Sequence, residues 1–357
     1  EINIEAARFF HNFLIKMDSS KSALDYLHDR GLKDETIEEW QVGFVPEQWD
    51  LLTQYLMKKG FGIDDLVVAG LTIQKDGANA SSGKGFYDRF RGRIMFPIWN
   101  VHGDVVGFTG RILVEKDNSG GKYVNTPQTI VYDKSHVIYG LNKAKKEIRS
   151  KDLTVMVEGQ MDVIACHQSG MTNVVASSGT ALTEHQVKLL KRYSENMNMA
   201  FDADVAGQNA AKRGIEIAVS QGMNVSVIQI PEGKGNDPDE CIKLNPEVWV
   251  QSVGSAQIVM DWYFKKVLAG KDISNPKDKQ QIVNELLKEI DIIPFAVERD
   301  HWLKKLEGSI GVDVSVLRED LKNVKRQKVV NKKEEIKSSD IKIVEKKGRL
   351  EILIEKL

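Results

Sequence analysis

The 357-residue sequence predicts a three-part fold: an N-terminal α+β subdomain, a central α/β subdomain built on a parallel sheet, and a C-terminal helical subdomain. Three observations carry this. Residues 152–230 alternate short apolar runs with longer helical patterns, the rhythm of βαβ units. Before them, residues 93–108 hold two apolar runs about a tight turn. After Asp239 the apolar residues recur at helical spacing only. The predicted boundaries are 1–150, 151–240 and 241–324, with 325–357 a charged linker and the start of a C-terminal helix.

In chain order, Ala6, Ala7, Phe10, Phe13 and Leu14 recur at helical spacing, as do Ala23, Leu24 and Leu27, so residues 1 to about 40 read as helical. Arg93–Trp99 and Asp104–Phe108 read as two strands around Asn100-Val-His-Gly103. In the central segment Leu153–Val157, Asn173–Ala176, Asn198–Phe201 and Asn224–Ile230 read as strands. Between them Asp162–Ser169, Thr183–Arg192 and Gly207–Gln221 read as helices, the second capped by Thr183. Ile282, Leu286, Leu287 and Ile290, then Trp302, Leu303, Leu306 and Ile310, mark the later helices. Residues 325–348 are Lys-rich with few large apolar groups, and Leu350, Leu353, Ile354 and Leu357 then fall on one helical face. Trp40, Trp49 and Trp262 are expected in the core, and His102 and His167 are read as structural.

Lys plus Arg number 50 against 51 Asp plus Glu, so a polyanion site has to be a local patch rather than a global field. Two isolated cysteines, Cys166 and Cys241, give neither a disulfide framework nor a zinc site, which fits a reducing cytoplasm. No apolar run approaches the ~20 residues of a membrane span. Ser82-Gly83-Lys84-Gly85 lacks the glycine spacing of a P-loop.

Chemistry concentrates in three acidic clusters: Glu158-Gly-Gln-Met-Asp162, Asp202-Ala-Asp204 and Asn236-Asp-Pro-Asp239. The first two stand where apolar runs stop, and the third follows a strand and a Gly-rich turn. In a parallel sheet the carboxyl ends of the strands open into one crevice, so these carboxylates converge. Crowded carboxylates repel, and a divalent cation relieves that. The pattern therefore points to metal-dependent phosphoryl transfer. Taken singly, Glu158 and Asp162 equally suit a helix N-terminus, and Asp237-Pro-Asp239 suits an exposed turn. Side chains two apart on an extended segment share a face, so Asp202 and Asp204 can share a metal, and Asp237 with Asp239 is expected to repeat that geometry. Arg89, Arg91, Arg93, Arg111, Lys122 and Lys134 fall in or beside strands and turns, where cations can neutralise phosphates. Ser177-Ser178-Gly179-Thr180 suits either a phosphate contact or an ordinary tight connection.

The order Glu158-Gly-x-x-Asp162, Asp202-x-Asp204, Asn236-Asp-Pro-Asp-Glu240 resembles the Toprim domain of bacterial replicative DNA primases of the DnaG type. Residues before it agree: Arg30-Gly-Leu, Gly43-Phe-Val-Pro-Glu-Gln-Trp49, Arg89-Phe-Arg91-Gly-Arg93-Ile-Met-Phe-Pro-Ile, Gly107-Phe-Thr-Gly-Arg111, Lys122-Tyr-Val-Asn-Thr-Pro127, Tyr132-Asp-Lys134 and Ile138-Tyr-Gly-Leu141. The resemblance covers about residues 1–325. Gln160 and Ala203 depart from the family's aromatic and glycine, and neither alters a carboxylate.

The resemblance implies an RNA polymerase core that makes short RNA primers on single-stranded DNA from ribonucleoside triphosphates, in the cytoplasm at the bacterial replisome. It implies a two-metal Mg²⁺ or Mn²⁺ site. Glu158, Asp202 and Asp204 are the first-choice ligands, Asp237 and Asp239 hold the second metal, and Asp162 orients the site. Arg111, Lys122 and Lys134 are implied groove contacts, with Arg30 a further candidate. No zinc is expected in this chain, and the replicative helicase is expected to bind through a C-terminal domain absent here. A single-stranded DNA-binding protein is a further candidate partner, and no membrane is expected. The alternatives are another Toprim enzyme, a topoisomerase or nuclease, and a non-catalytic single-strand-binding module. Only the last needs no carboxylate constellation.

Overall fold

The computed structural model describes residues 1–79, 84–115, 121–177, 181–200 and 205–324. Residues Glu1–Gln257 form one compact unit, and a second begins at Ile258.

The first unit opens with helices α1 (Ile2–Lys16), α2 (Lys21–Asp29) and α3 (Asp34–Glu39), as the periodicity of Ala6, Ala7 and Phe10 requires. Strand β1 (Gly43–Val45), helices α4 (Leu51–Lys58) and α5 (Ile63–Val68), and a hairpin of β2 (Thr72–Asn79) with β3 (Lys84–Asp88) follow. The expected pair of strands is β4 (Arg93–Trp99) and β5 (Val105–Ile112), antiparallel about the Asn100 turn, with β6 (Tyr123–Asn125) beyond. Together they make a sheet of order β1-β4-β5-β6. Strand β4 is buried along its whole length, with Ile94 and Phe96 in one apolar cluster and Met95 in another, as a period of two dictates.

Gly43 is where β1 crosses α1. A Cβ there would lie 2.5 Å from the backbone carbonyl carbon and the Cβ of Phe10. Gly43→Ala is therefore expected to destabilise the first unit by about 2 kcal/mol, because a packed helix must shift to admit it. An unchanged urea midpoint would show that α1 moves freely.

Helix α6 (Leu141–Lys151) leads into the parallel sheet. Its strands are β7 (Thr154–Val157), β8 (Val174–Ala176), β9 (Asn196–Ala200) and β10 (Asn224–Ile228). Helices α7 (Gln160–Gln168), α8 (Glu184–Leu190) and α9 (Val205–Ser220) connect them, followed by α10 (Pro238–Leu244) and α11 (Pro246–Gly254). With the short edge strand β11 (Gln257–Ile258) the order is β11-β10-β9-β7-β8, and the pairs β10/β9, β9/β7 and β7/β8 are all parallel. Thr183 caps α8 as expected, its hydroxyl accepting from Gln186 N while the Gln186 side chain accepts from Thr183 N.

One apolar cluster runs from Trp40, Phe44 and Phe96 to Val155, Val163, Val174 and Trp249, so both sheets share a core. Trp40 sits at its junction, 5.6 Å from the Tyr139 ring, 6.1 Å from Trp99 and 5.1 Å from His167. Trp49 corrects the sequence reading: it is 63% exposed, in a polar turn just before α4. Trp262 is half-buried rather than core.

The second unit contains α12 (Val259–Leu268), α13 (Pro276–Ile292), α14 (Ala296–Ile310) and helical residues 314–324. Leu286, Leu287, Ile290, Leu303 and Leu306 are buried, and Phe264 stacks obliquely on Trp302 at 5.8 Å. Among the described residues, no helix is long and apolar enough to cross a membrane. The expected linker and helix at 325–357 lie outside the described residues.

Candidate active site

After β7 the chain turns to β8 on one side of it, then returns across it to β9 on the other. The crevice at the carboxyl ends of β7 and β9 is therefore the topological switch point, where open α/β sheets bind ligands. Glu158 immediately follows β7 and is half-buried. Asp202 and Asp204 come two and four residues after Ala200, the last residue of β9, and lie outside the described residues, as do Ser178, Gly179 and Thr180.

Gly159 precedes α7, and its N–H donates to Asp162 Oδ2 at 2.9 Å. A Cβ on Gly159 would stand 3.1 Å from that oxygen, so glycine lets the carboxylate fold back over the turn. Asp162 Oδ1 accepts from the backbone N–H of Asp239 at 3.3 Å. One buried carboxylate thus joins the start of α7 to the start of α10.

Asp237 and Asp239 differ from the extended geometry expected for them, because Pro238 begins a helix rather than stiffening a strand. Asp237 caps α10, with Oδ1 accepting from Glu240 N at 2.7 Å. Asp239 lies in the first turn, 3% exposed, and its Oδ2 accepts from the Arg30 guanidinium. Burial raises the Asp239 carboxyl pKa, and Arg30 offsets this only in part. Burial alone would lower the Arg30 pKa, but the Asp239 carboxylate, with Asp237 behind it, raises it.

The other cations divide by environment. Arg111 stacks its guanidinium 4.6 Å from the Tyr26 ring centre. It also stands beside the Tyr123 phenol, whose pKa burial raises while Arg111 and Arg30 oppose that. Lys122 is exposed. Lys134 is half-buried without an ion-pair partner among the described residues, and burial lowers its pKa. Arg89 donates to the Gly70 carbonyl at 2.7 Å. Arg93 departs from the expected phosphate-contact role: it is buried and donates to the carbonyls of Gly110, Gly121 and Lys122. Its charge ties β4 to β5 and to the segment before β6.

Sequence reasoning missed an exposed aromatic patch. The Arg91 guanidinium lies 4.5 Å from the Trp49 ring centre and 5.2 Å from Tyr87, and Lys75 lies 5.1 Å from Tyr87. The available signal was Trp49's place in a Pro-Glu-Gln-Trp-Asp turn with no periodic apolar neighbours.

All the acidic residues named here offer oxygen donors, the set that suits Mg²⁺ or Mn²⁺. Among the described residues no group of three or more His, Cys, Asp or Glu forms a metal-holding cluster.

A parallel sheet with an acidic turn at its switch point, joined through one core to an α+β body, defines a Toprim-type catalytic core. The comparisons agree. Residues 9–145 match the family described as DNA primase catalytic core, N-terminal domain, and residues 155–242 match the Toprim-like family. The DNA primase of Clostridium acetobutylicum is 37% identical over 318 residues, covering 87% of this chain and 50% of that protein. A DNA primase domain from Pseudomonas aeruginosa superposes with a TM-score of 0.77 at 30% identity, covering 89% of this chain and 98% of that one. A DnaG primase catalytic domain bound to ssDNA superposes at 0.74 and 30% identity, covering 88% and 96%. The chain belongs to the DnaG-type DNA primase catalytic-core family. It spans about half the length of the curated relatives it matches.

Residues 260–315 match a third family, described as the DnaB-helicase binding domain of primase. The sequence reading placed such a domain outside this chain; the family match instead falls on α12, α13 and α14.

Proposed function

We propose that this chain synthesises short RNA primers on single-stranded DNA by joining ribonucleoside triphosphates. The carrying observation is the acidic Glu158-Gly-x-x-Asp162 turn at the switch point of a DnaG-family Toprim sheet. Glu158, Asp202 and Asp204 would hold the divalent cation. Asp237, which spends one carboxylate oxygen on its helix cap, is the candidate for a second cation. When bound, such cations stabilise the attacking 3′-oxygen and the leaving pyrophosphate.

The chain's own work is then positioning, and no protein nucleophile is needed. Asp162 orients the Glu158 turn through the Gly159 amide. Arg111, Lys122 and Lys134 bind phosphates of nucleotide or template, with Arg89 at the margin. Trp49, with Arg91 across its face, offers a base a stacking platform. Residues 260–315 are the candidate contact for a replicative helicase, on the strength of the family match.

The test is primer synthesis on single-stranded DNA with labelled ribonucleotides, with Mg²⁺ or Mn²⁺ and with chelator. Products two or more nucleotides long that vanish with chelator are expected. Single-strand binding without any synthesis would favour the non-catalytic binding module.

Binding measurements separate the patches. Arg111→Ala and Lys122→Ala are each expected to lower the slope of log affinity against log salt by about 0.7 for single-stranded DNA. Trp49→Ala is expected to weaken binding by about 2 kcal/mol with the slope unchanged, because stacking releases no counterions. An unchanged slope in both cation variants would return Arg111 and Lys122 to solvated surface charges.

A further inference from the structure

We propose that the turn at residues 29–33, between α2 and α3, is a brace that sets the spacing of α7 and α10, with Arg30 its positioning residue rather than a phosphate contact. The inference rests on the primer-synthesis reading and assigns a new role within that site.

Four hydrogen bonds fasten this short turn to the two helices that carry Asp162 and Asp239. The Lys243 ammonium of α10 donates to the Asp29 carbonyl. The Arg30 guanidinium donates to Asp239 at the start of α10. The side chain of Gln168, at the end of α7, donates to the Gly31 carbonyl and accepts from the Lys33 N–H, both at 2.8 Å. One turn therefore grips α7 at its last residue and α10 at two points.

The grip reaches the acidic turn through atoms already described. Asp239 carries the Arg30 contact on its side chain and donates its backbone N–H to Asp162 Oδ1. Asp162 in turn holds the Gly159 amide beside Glu158. The relay Arg30, Asp239, Asp162, Gly159 runs from the helical N-terminus to the second residue after β7, next to Glu158. A carboxylate that is 3% exposed and paired with a guanidinium is a poor direct metal ligand. An arginine held by that carboxylate is likewise a poor phosphate binder. Each has the other as its principal partner, and the product of the pairing is a fixed distance between two helices.

The experiment uses the full chain with Arg30→Gln, Arg30→Lys, Asp239→Asn, the Arg30→Gln/Asp239→Asn double variant and Gln168→Ala. The measurements are primer-synthesis kcat, ribonucleotide KM, the salt slope of single-strand binding, and hydrogen exchange of the Asp239 and Cys241 amides. Arg30→Gln and Asp239→Asn are each expected to lower kcat at least about 10-fold, or ~1.4 kcal/mol, with KM and salt slope unchanged. The double variant is expected to be no worse than either single, and Arg30→Lys to recover part of the loss. Gln168→Ala, which leaves every charge in place, is expected to lower kcat about 3-fold. The Asp239 and Cys241 amides are expected to exchange at least about 10-fold faster in Arg30→Gln and faster in Gln168→Ala.

A fall of about 0.7 in salt slope on Arg30→Gln, a raised KM, or additive losses in the double variant would overturn the brace in favour of a phosphate contact. If Arg30→Gln does not fold, Gln168→Ala decides, and unchanged kcat and exchange in it overturn the proposal. If the wild-type chain makes no primers, the functional reading fails. The exchange data then decide the brace, and unchanged exchange in both variants overturns it.

Discussion

Glu158→Gln is expected to lower primer synthesis at least about 100-fold, ~2.7 kcal/mol of barrier, while single-strand affinity is retained. Gln has the shape of Glu without the charge, so the turn between β7 and α7 keeps its Gly159–Asp162 hydrogen bond. What disappears is a negative oxygen at the switch point of the sheet. In the proposed ligand set Glu158 shares its site with other carboxylates, so its neutralisation is also expected to leave the stability of the metal-free protein unchanged or raised. Asp204→Ala is expected to cause a loss of the same size. A variant that folds and keeps more than about a tenth of the activity would remove that residue from the ligand set.

Asp88→Ala is expected to destabilise the first unit by about 3 kcal/mol, read as a drop in the urea midpoint. Asp88 is fully buried at the end of β3. Its oxygens accept from Leu52 N at 2.7 Å, Thr53 N at 2.9 Å and Thr53 Oγ1 at 2.6 Å, which satisfies the start of α4 from 35 residues away. Alanine leaves two buried N–H groups without an acceptor. Burial raises the Asp88 pKa and the three donors oppose this. The native state then takes up a proton before the unfolded chain does as pH falls. The contribution of Asp88 is accordingly largest on the acid side and declines as pH rises through its native pKa. The gap between wild type and Asp88→Ala should widen on acidification. A gap that narrows would show that the donors outweigh burial.

The parallel sheet was legible because β7 and β8 are buried throughout and read as apolar runs, β9 and β10 set buried Met and Val between polar residues, and caps such as Thr183 punctuate them. The β4/β5 hairpin was legible for a similar reason, with Asn100 and Gly103 marking its turn. Strand β2 was not. From Gln74 onward it is largely exposed, so Gln-Lys-Asp-Gly shows no period of two. Trp49 was misread because an apolar side chain next to a cap looks the same whether it faces the core or the solvent. The carboxylate motifs could be found in sequence, but their partners could not. Arg30 and Asp239 are 209 residues apart, and nothing local to either specifies the other. The helical subdomain was visible as periodicity, yet its match to a helicase-binding family follows no pattern that spacing alone reveals.

Trp40 also fixes a schedule for synthesis. Its ring is enclosed by Trp99, then Tyr139, then His167, which leave the ribosome in that order. At elongation rates of about 5–20 residues per second the last of these follows Trp40 by about 6–25 s. For that interval the nascent N-terminal body carries an uncovered tryptophan and the apolar sheet face around Phe44 and Phe96. The vulnerable species is thus a half-made chain, and a ribosome stalled between residues 99 and 167 would release a sticky product.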